Sequence, residues 1–152
     1  MNQNRIVEKL QQMGLSLPEV TTAVGSYVPA VRSGSLVYVS GQLPSREGRI
    51  QYTGRLGENV TLEGGRQAAR LCVLNALAAA AEVAGGLPNI ARVVRLAVFV
   101  NSAPGFSEQA RVANGASDLL RALFEDAGRH ARIAVGVSAL PFAVGLYLPI
   151  YT

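Results

Sequence analysis

The sequence has little of what most enzyme chemistry is built from. It holds one cysteine (Cys72), one histidine (His130), one lysine (Lys9) and no tryptophan. A single cysteine excludes an intramolecular disulfide. One histidine and one cysteine exclude a His/Cys zinc site and any multi-histidine metal centre, and a Ser-His-Asp triad would have to use His130. No metal or cofactor is expected. The phosphate loop GxxxxGK[ST], a strand-borne GxGxxG, the GxSxG elbow and the HExxH helix are all missing. The net charge is +4, yet no run of Lys or Arg and no basic-aromatic strand occurs, so neither a membrane nor a nucleic acid is an expected partner. No uninterrupted apolar run reaches the ~18 residues of a membrane span. The closest approach, from Leu71 to Ala84, is broken by Asn75 and Glu82. The N-terminus is polar and lacks the apolar core of a signal peptide, which reads as a cytoplasmic chain.

What is present is a chain of 152 residues, 49% hydrophobic and 16% charged. That is one domain's length, long enough to bury roughly 70% of its unfolded surface, and too apolar for disorder. The apolar share is high for a small monomer and points to a subunit interface.

Ile6, Leu10 and Met13 recur at helical spacing ahead of Gly14, predicting a short helix over residues 3–13. Residues 1–20 form an N-terminal helical extension to a domain of 21–152. Tyr27–Arg32 and Leu36–Ser40, around Ser33-Gly34-Ser35, read as a hairpin. A short strand follows at Ile50–Thr53. Thr61 is the N-cap of a long helix running to about Ala84, stopped by Gly85-Gly86-Leu87-Pro88. A strand is expected over Ala91–Val100, a second long helix over Ser107–Glu125, and closing strands over Ile133–Leu140 and Val144–Tyr151. Pro149 marks the last strand as an edge or bulged one. Asp118 and Glu125, seven apart, read as a solvated helix face rather than a catalytic acid pair.

The order gives an α+β sandwich, two long helices on one face of a mixed sheet. Ala91–Val100 and Val144–Tyr151 lack clean alternation, as strands buried on both faces do. The second face then needs a cover. The expected cover is another copy of the chain, packed sheet to sheet; the N-terminal helix is the alternative.

One arginine sits oddly. Arg132 opens the apolar run Ile133-Ala134-Val135-Gly136-Val137, where a guanidinium must be paired or open to a cleft. It suits a carboxylate, with two parallel charge-assisted bonds, supplied either by an acid of the protein or by a ligand.

Four segments in register, Gly25–Val31, Val39–Pro44, Ala97–Val100 and Ala131–Pro141, resemble the Rid family, also called the YjgF or L-PSP endoribonuclease family. Asn114-Gly115-Ala116-Ser117-Asp118-Leu119-Leu120 with Gly128-Arg129-His130-Ala131-Arg132 resembles a branch that also carries an N-terminal helix. The resemblance implies a chorismate-mutase-like fold of the bacillus type and a homotrimer with clefts between adjacent subunits. It implies that Arg132 grips the carboxylate of a 2-imino or 2-enamino acid while water attacks the imine carbon, giving a 2-oxo acid and ammonia. Tyr27, Ser40 and Gly41, with Phe99 and Asn114 from the matching segments, would line the cleft.

The sequence departs from the family at one telling place. Deaminating members carry a glutamate on the last strand. Register from Leu140-Pro141 puts Tyr147 there and Pro149 at the next inward position, and Val144–Tyr151 contains no acid. A phenol titrates at ~10, and loss of a positioned base costs roughly 10²–10⁴ in rate. Ala134 stands where a cysteine is frequent, and His130 where a proline is usual. His130 is the candidate substitute proton carrier, with Tyr147 and Arg132 as the other catalytic candidates. The competing readings are a carboxylate-binding trimer without chemistry and an endoribonuclease. The last lacks a basic stripe, a histidine pair and stacking aromatics.

Overall fold

The structure is a computed structural model and describes residues 4–20, 25–141, 146–147 and 150–151. Helix α1 (Arg5–Gln12) leads into a hairpin, β1 (Ala30–Ser33) and β2 (Leu36–Val39). Gly34, at φ 60, takes the left-handed position of the tight turn between them. A small separate hairpin follows, β3 (Ser45–Arg46) and β4 (Arg49–Ile50). Then come α2 (Leu62–Ala84), β5 (Arg95–Asn101), α3 (Gln109–Phe124), β6 (Ala131–Val137), β7 (Leu146–Tyr147) and β8 (Ile150–Tyr151).

The main sheet runs β1-β2-β8-β5-β6, with β7 also on β5. Among the described strands of this sheet only β5 and β6 pair in parallel; the other neighbours are antiparallel. Both long helices lie on one face, α2 over the β1–β2 side and α3 over β5 and β6.

The caps of α2 follow the sequence. Thr61 Oγ1 accepts from Gly64 N at 3.0 Å. At the other end Gly85 takes the left-handed conformation at φ 80. The helix is apolar around most of its girth because it is packed on several sides, with the sheet beneath, α3 alongside, and β3 and the Leu87–Asn89 turn also against it. By length and composition it could cross a membrane, but it is largely buried as the core helix. The polar residue that breaks its apolar run, Asn75, donates to the carbonyls of Leu43 and Ser45 at 3.0 and 2.9 Å. It thereby ties the loop after β2 to the helix. Cys72 is fully buried, and burial pushes its thiol well above the ordinary range.

Helices α2 and α3 approach so closely at Gly115 that a Cβ there would stand 2.1 Å from the Arg66 carbonyl oxygen. Gly115 therefore sets how near α3 lies to α2.

Several boundaries differ from the sequence reading. β1 starts at Ala30, leaving Tyr27 in the preceding bend. β5 starts at Arg95 rather than Ala91, because Val93 N is engaged by the Ala127 carbonyl. β6 covers Ala131–Val137 rather than Ile133–Leu140, its register set by Arg95↔Ala131 through Asn101↔Val137. β7 and β8 pair with β5 in one antiparallel register, from Val100↔Leu146 to Arg95↔Tyr151. β8 lies between β2 and β5, so that segment is interior, not an edge. Pro149 and residues 142–145 lie outside the described residues. Helix α1 packs on α3 and on a 3-10 turn, Leu87–Asn89. It does not cover the open face of the sheet, where Val31, Leu36, Tyr38 and Ile133 are exposed.

Candidate functional site

Arg132 is the second residue of β6, opposite Leu96 in the parallel ladder. Leu96 is buried on the helix side, so Arg132 shares that side and meets α3 at the rim of the sheet. Its Nη1 donates to Asn114 Oδ1 at 2.8 Å and to Ser117 Oγ at 3.1 Å. Asn114 and Ser117 are three apart on α3 and therefore share a face. Arginine has no acceptor, so the Asn114 amide must present its oxygen.

Ser117 continues the chain of contacts. Its Oγ lies 2.9 Å from His130 Nε2, and His130 Nδ1 lies 2.6 Å from the Gly128 carbonyl. A carbonyl only accepts, so Nδ1 carries the proton. In the neutral ring Nε2 then accepts from Ser117, whose lone pairs remain for Arg132. Hydrogen bonds thus run from Arg132 through Ser117 and His130 to the backbone of Gly128. Ser117 is 8% exposed, which makes this bridge a structural fixture rather than a surface contact.

Among the described residues no carboxylate lies within ion-pair distance of Arg132. Asp118, the nearest acid on α3, is turned to Arg66 at 3.6 Å. The guanidinium is fixed by two neutral groups and keeps its charge unbalanced. Beside it opens a cleft of about 410 Å³ between α3 (Asn114, Ser117, Asp118, Arg121) and the entry to β6 (Arg129, His130, Arg132).

The structure brings Arg132, His130 and Asn114 together. It keeps the other candidates apart from them. Tyr27, Ser40 and Gly41 belong to the β1–β2 side, three to four strand spacings from β6, about 14–19 Å. Ser40 Oγ donates to the Val28 carbonyl at 2.7 Å, and Tyr27 is 52% exposed. Phe99 sits opposite Val135 and Tyr147, one step out of phase with Arg132, on the other face of the sheet. The sequence reading did not single out Ser117. The available signal was a small polar residue one turn from Asn114 in an otherwise apolar helix stripe.

Asp118 and Glu125 form no catalytic pair. Glu125 accepts from Lys9 at 2.6 Å and from Arg5 at 2.9 Å, which pins α1 to the end of α3. The Lys9 hydrogen bond, aided by the charges of Arg5 and Lys9, holds its carboxyl below the usual glutamate range.

A mixed sheet with two long helices on one face, and an arginine corner at its rim, defines a chorismate-mutase-like α+β domain. The family model described as "YjgF/chorismate mutase-like, putative endoribonuclease" matches residues 7–150. The chain belongs to that family, the one its sequence segments resemble. Protein TCP17 of Trypanosoma cruzi is 46% identical over 143 residues, covering 93% of this chain and 89% of that protein. Among solved structures, protein Atu1372 of Agrobacterium tumefaciens is 41% identical with a TM-score of 0.88, covering 98% of this chain and 91% of that one. A Shewanella oneidensis structure is 35% identical with a TM-score of 0.93, covering 97% and 98% respectively.

Proposed function

We propose that this chain binds small carboxylates, with Arg132 as the anchor, in clefts formed between copies in a homotrimer. The observation that carries the reading is the state of Arg132. Its guanidinium is held by Asn114 and Ser117 at 2.8 and 3.1 Å, with no carboxylate of the described residues on it. A charge so oriented and left unbalanced is prepared for an anionic ligand.

The strand order supports the intersubunit cleft. Tyr27, Ser40 and Gly41 lie toward one rim of the sheet and Arg132 at the other. They can form one site only if the first rim belongs to a neighbouring copy. Exposed Val31, Leu36, Tyr38 and Ile133 on the sheet's open face supply an apolar surface for that association.

The reaction that the family resemblance suggests is hydrolysis of a 2-imino or 2-enamino acid. Water adds to the imine carbon, the carbon–nitrogen bond breaks, and a 2-oxo acid and ammonia leave. Residues 144–151 contain no acid to hold that water. His130 has both ring nitrogens engaged in bracing the arginine. Any acceleration then rests on orientation and on the charge of Arg132. The missing acid favours the second reading, a trimer that binds a carboxylate and performs no chemistry.

One experiment separates them. 2-Iminobutyrate is generated in situ and its decay followed with wild type and Arg132→Ala. An acceleration that disappears in the variant identifies a hydrolase. Binding of 2-oxobutyrate that needs Arg132, without acceleration, identifies the binding trimer. Failure of Arg132→Ala to change either measurement overturns the proposal.

A further inference from the structure

The cleft beside Arg132 holds more positive charge than one carboxylate requires. Arg121 stands one turn beyond Ser117 on α3, about 6 Å further along the helix axis. Arg129 enters from the opposite wall, at the approach to β6. Both line the cleft with Arg132. Both also line an adjoining hollow of about 520 Å³, so they stand on the ridge between the two.

Among the described residues the Arg121 side chain makes no hydrogen bond or ion pair. Arg129 lies 3.6 Å from Asp126 in a pair whose side chains are 71% and 98% exposed, which solvent largely screens. Asp118, the acid of this cleft, lies 3.6 Å from Arg66 in a pair whose Asp118 side chain is 64% exposed, so it offsets one of the positive charges in part. Glu125, in the adjoining hollow, is taken by Arg5 and Lys9. Arg132 meets only an amide and a hydroxyl. Three guanidinium groups therefore border one cleft that contains a single acid among the described residues, Asp118, and positive charge is in excess there. Each alone is an ordinary surface charge; their convergence concentrates anions.

We infer that the ligand carries two anionic oxyacid groups, one on Arg132 and a second on Arg121 and Arg129. The one-turn rise of about 6 Å from Ser117, which holds Arg132, to Arg121 is the scale of a small dicarboxylate such as glutarate or adipate, or of a carboxylate with a phosphate at its far end. The inference rests on the reading of Arg132 as a carboxylate anchor and adds a specificity to it.

The test compares glutarate with butyrate, which share a carbon-chain scale and differ in the second charge. Affinities are measured by calorimetry on the full chain at fixed ionic strength, with glycerol 3-phosphate and 3-phosphoglycerate in a second arm to separate phosphate from carboxylate at the far position. Glutarate is expected to bind on the order of tenfold more tightly than butyrate, the scale of one charge-assisted contact. In Arg121→Gln the ratio falls toward one, and in Arg121→Lys most of it is kept. Arg121 is exposed, so these variants keep the fold, which thermal melts verify. In Arg132→Gln binding of both acids is lost. Equal affinities that still need Arg132, or a ratio that survives both Arg121→Gln and Arg129→Gln, overturn this inference and leave the anchor standing. No binding by any of these acids overturns both.

Discussion

Arg132 on the rim strand and Asn114 on α3 are joined by a 2.8 Å hydrogen bond that spans the seam between sheet and helix layer. The bond fixes where the guanidinium can point. In Asn114→Ala the arginine loses that constraint while keeping its charge. Carboxylate affinity is expected to fall about tenfold, the lower end of the scale of one hydrogen bond to a charged group. Asn114→Asp instead places an acid on Arg132 and should weaken carboxylate binding more than Asn114→Ala does. Calorimetry with 2-oxobutyrate checks both, and the reverse order would show that the amide is incidental.

His130 acts on the site through Ser117. With Nδ1 donating to Gly128 and Nε2 taken by Ser117, it has no nitrogen free to carry a proton to a ligand. His130→Ala should loosen Arg132 and raise the dissociation constant for a carboxylate, with any imine hydrolysis at saturation changed less than tenfold. A loss on the order of 10²–10⁴ at saturation would mark a general acid–base group instead.

Gly115 sets how near α3 comes to α2. A methyl group there would meet the Arg66 carbonyl oxygen at 2.1 Å, and backbone does not yield as a side-chain tip does. Gly115→Ala is expected to cost about 1–3 kcal/mol by overpacking. That corresponds to a melting temperature lower by roughly 2–12 °C. Since Asn114 and Ser117 flank this residue, carboxylate affinity should fall with it.

The docking of α1 is expected to be acid-sensitive. The Lys9 hydrogen bond and the positive charges of Lys9 and Arg5 depress the pKa of Glu125 in the folded chain. A depressed carboxylate stabilises the fold at pH values above its unfolded pKa. That contribution is lost as pH falls from the ordinary glutamate range through the lowered folded value. Proteolysis near Arg5 and Lys9 by an acid-active protease should therefore quicken only below the ordinary glutamate range, and Glu125→Gln should show the quickened rate at neutral pH. Equal rates for wild type and variant at neutral pH would refute the docking role.

Cys72, on α2, is fully buried, and burial pushes its thiol well above the ordinary range. It should resist a disulfide reagent in the native protein and react once per chain after denaturation. Reaction without unfolding would contradict the packing of α2.

Local signals in the sequence carried much of the fold. Thr61, Gly85 and Gly34 marked a cap, a stop and a turn by the chemistry of single residues, and each holds that position. Lack of alternation marked β5 as covered on both faces. What the chain order hid is non-local. That β8 slots between β2 and β5, and that β6 begins at Ala131, depends on ladders between distant segments. The candidate site divides in the same way. Arg132 was legible as a charge heading an apolar strand, whereas Ser117 gains its role only when α3 is laid over β6. The sheet order likewise separates Tyr27 from Arg132, a separation that spacing along the chain could not reveal.

That separation has a genetic reading. If the crevice borrows one wall from each of two chains, damage to different walls is complementary. Chains carrying Tyr27→Ala and chains carrying Arg132→Ala, each silent alone, would regain some intact crevices when co-expressed and reassembled, because a crevice drawing its arginine from the first and its tyrosine from the second is whole.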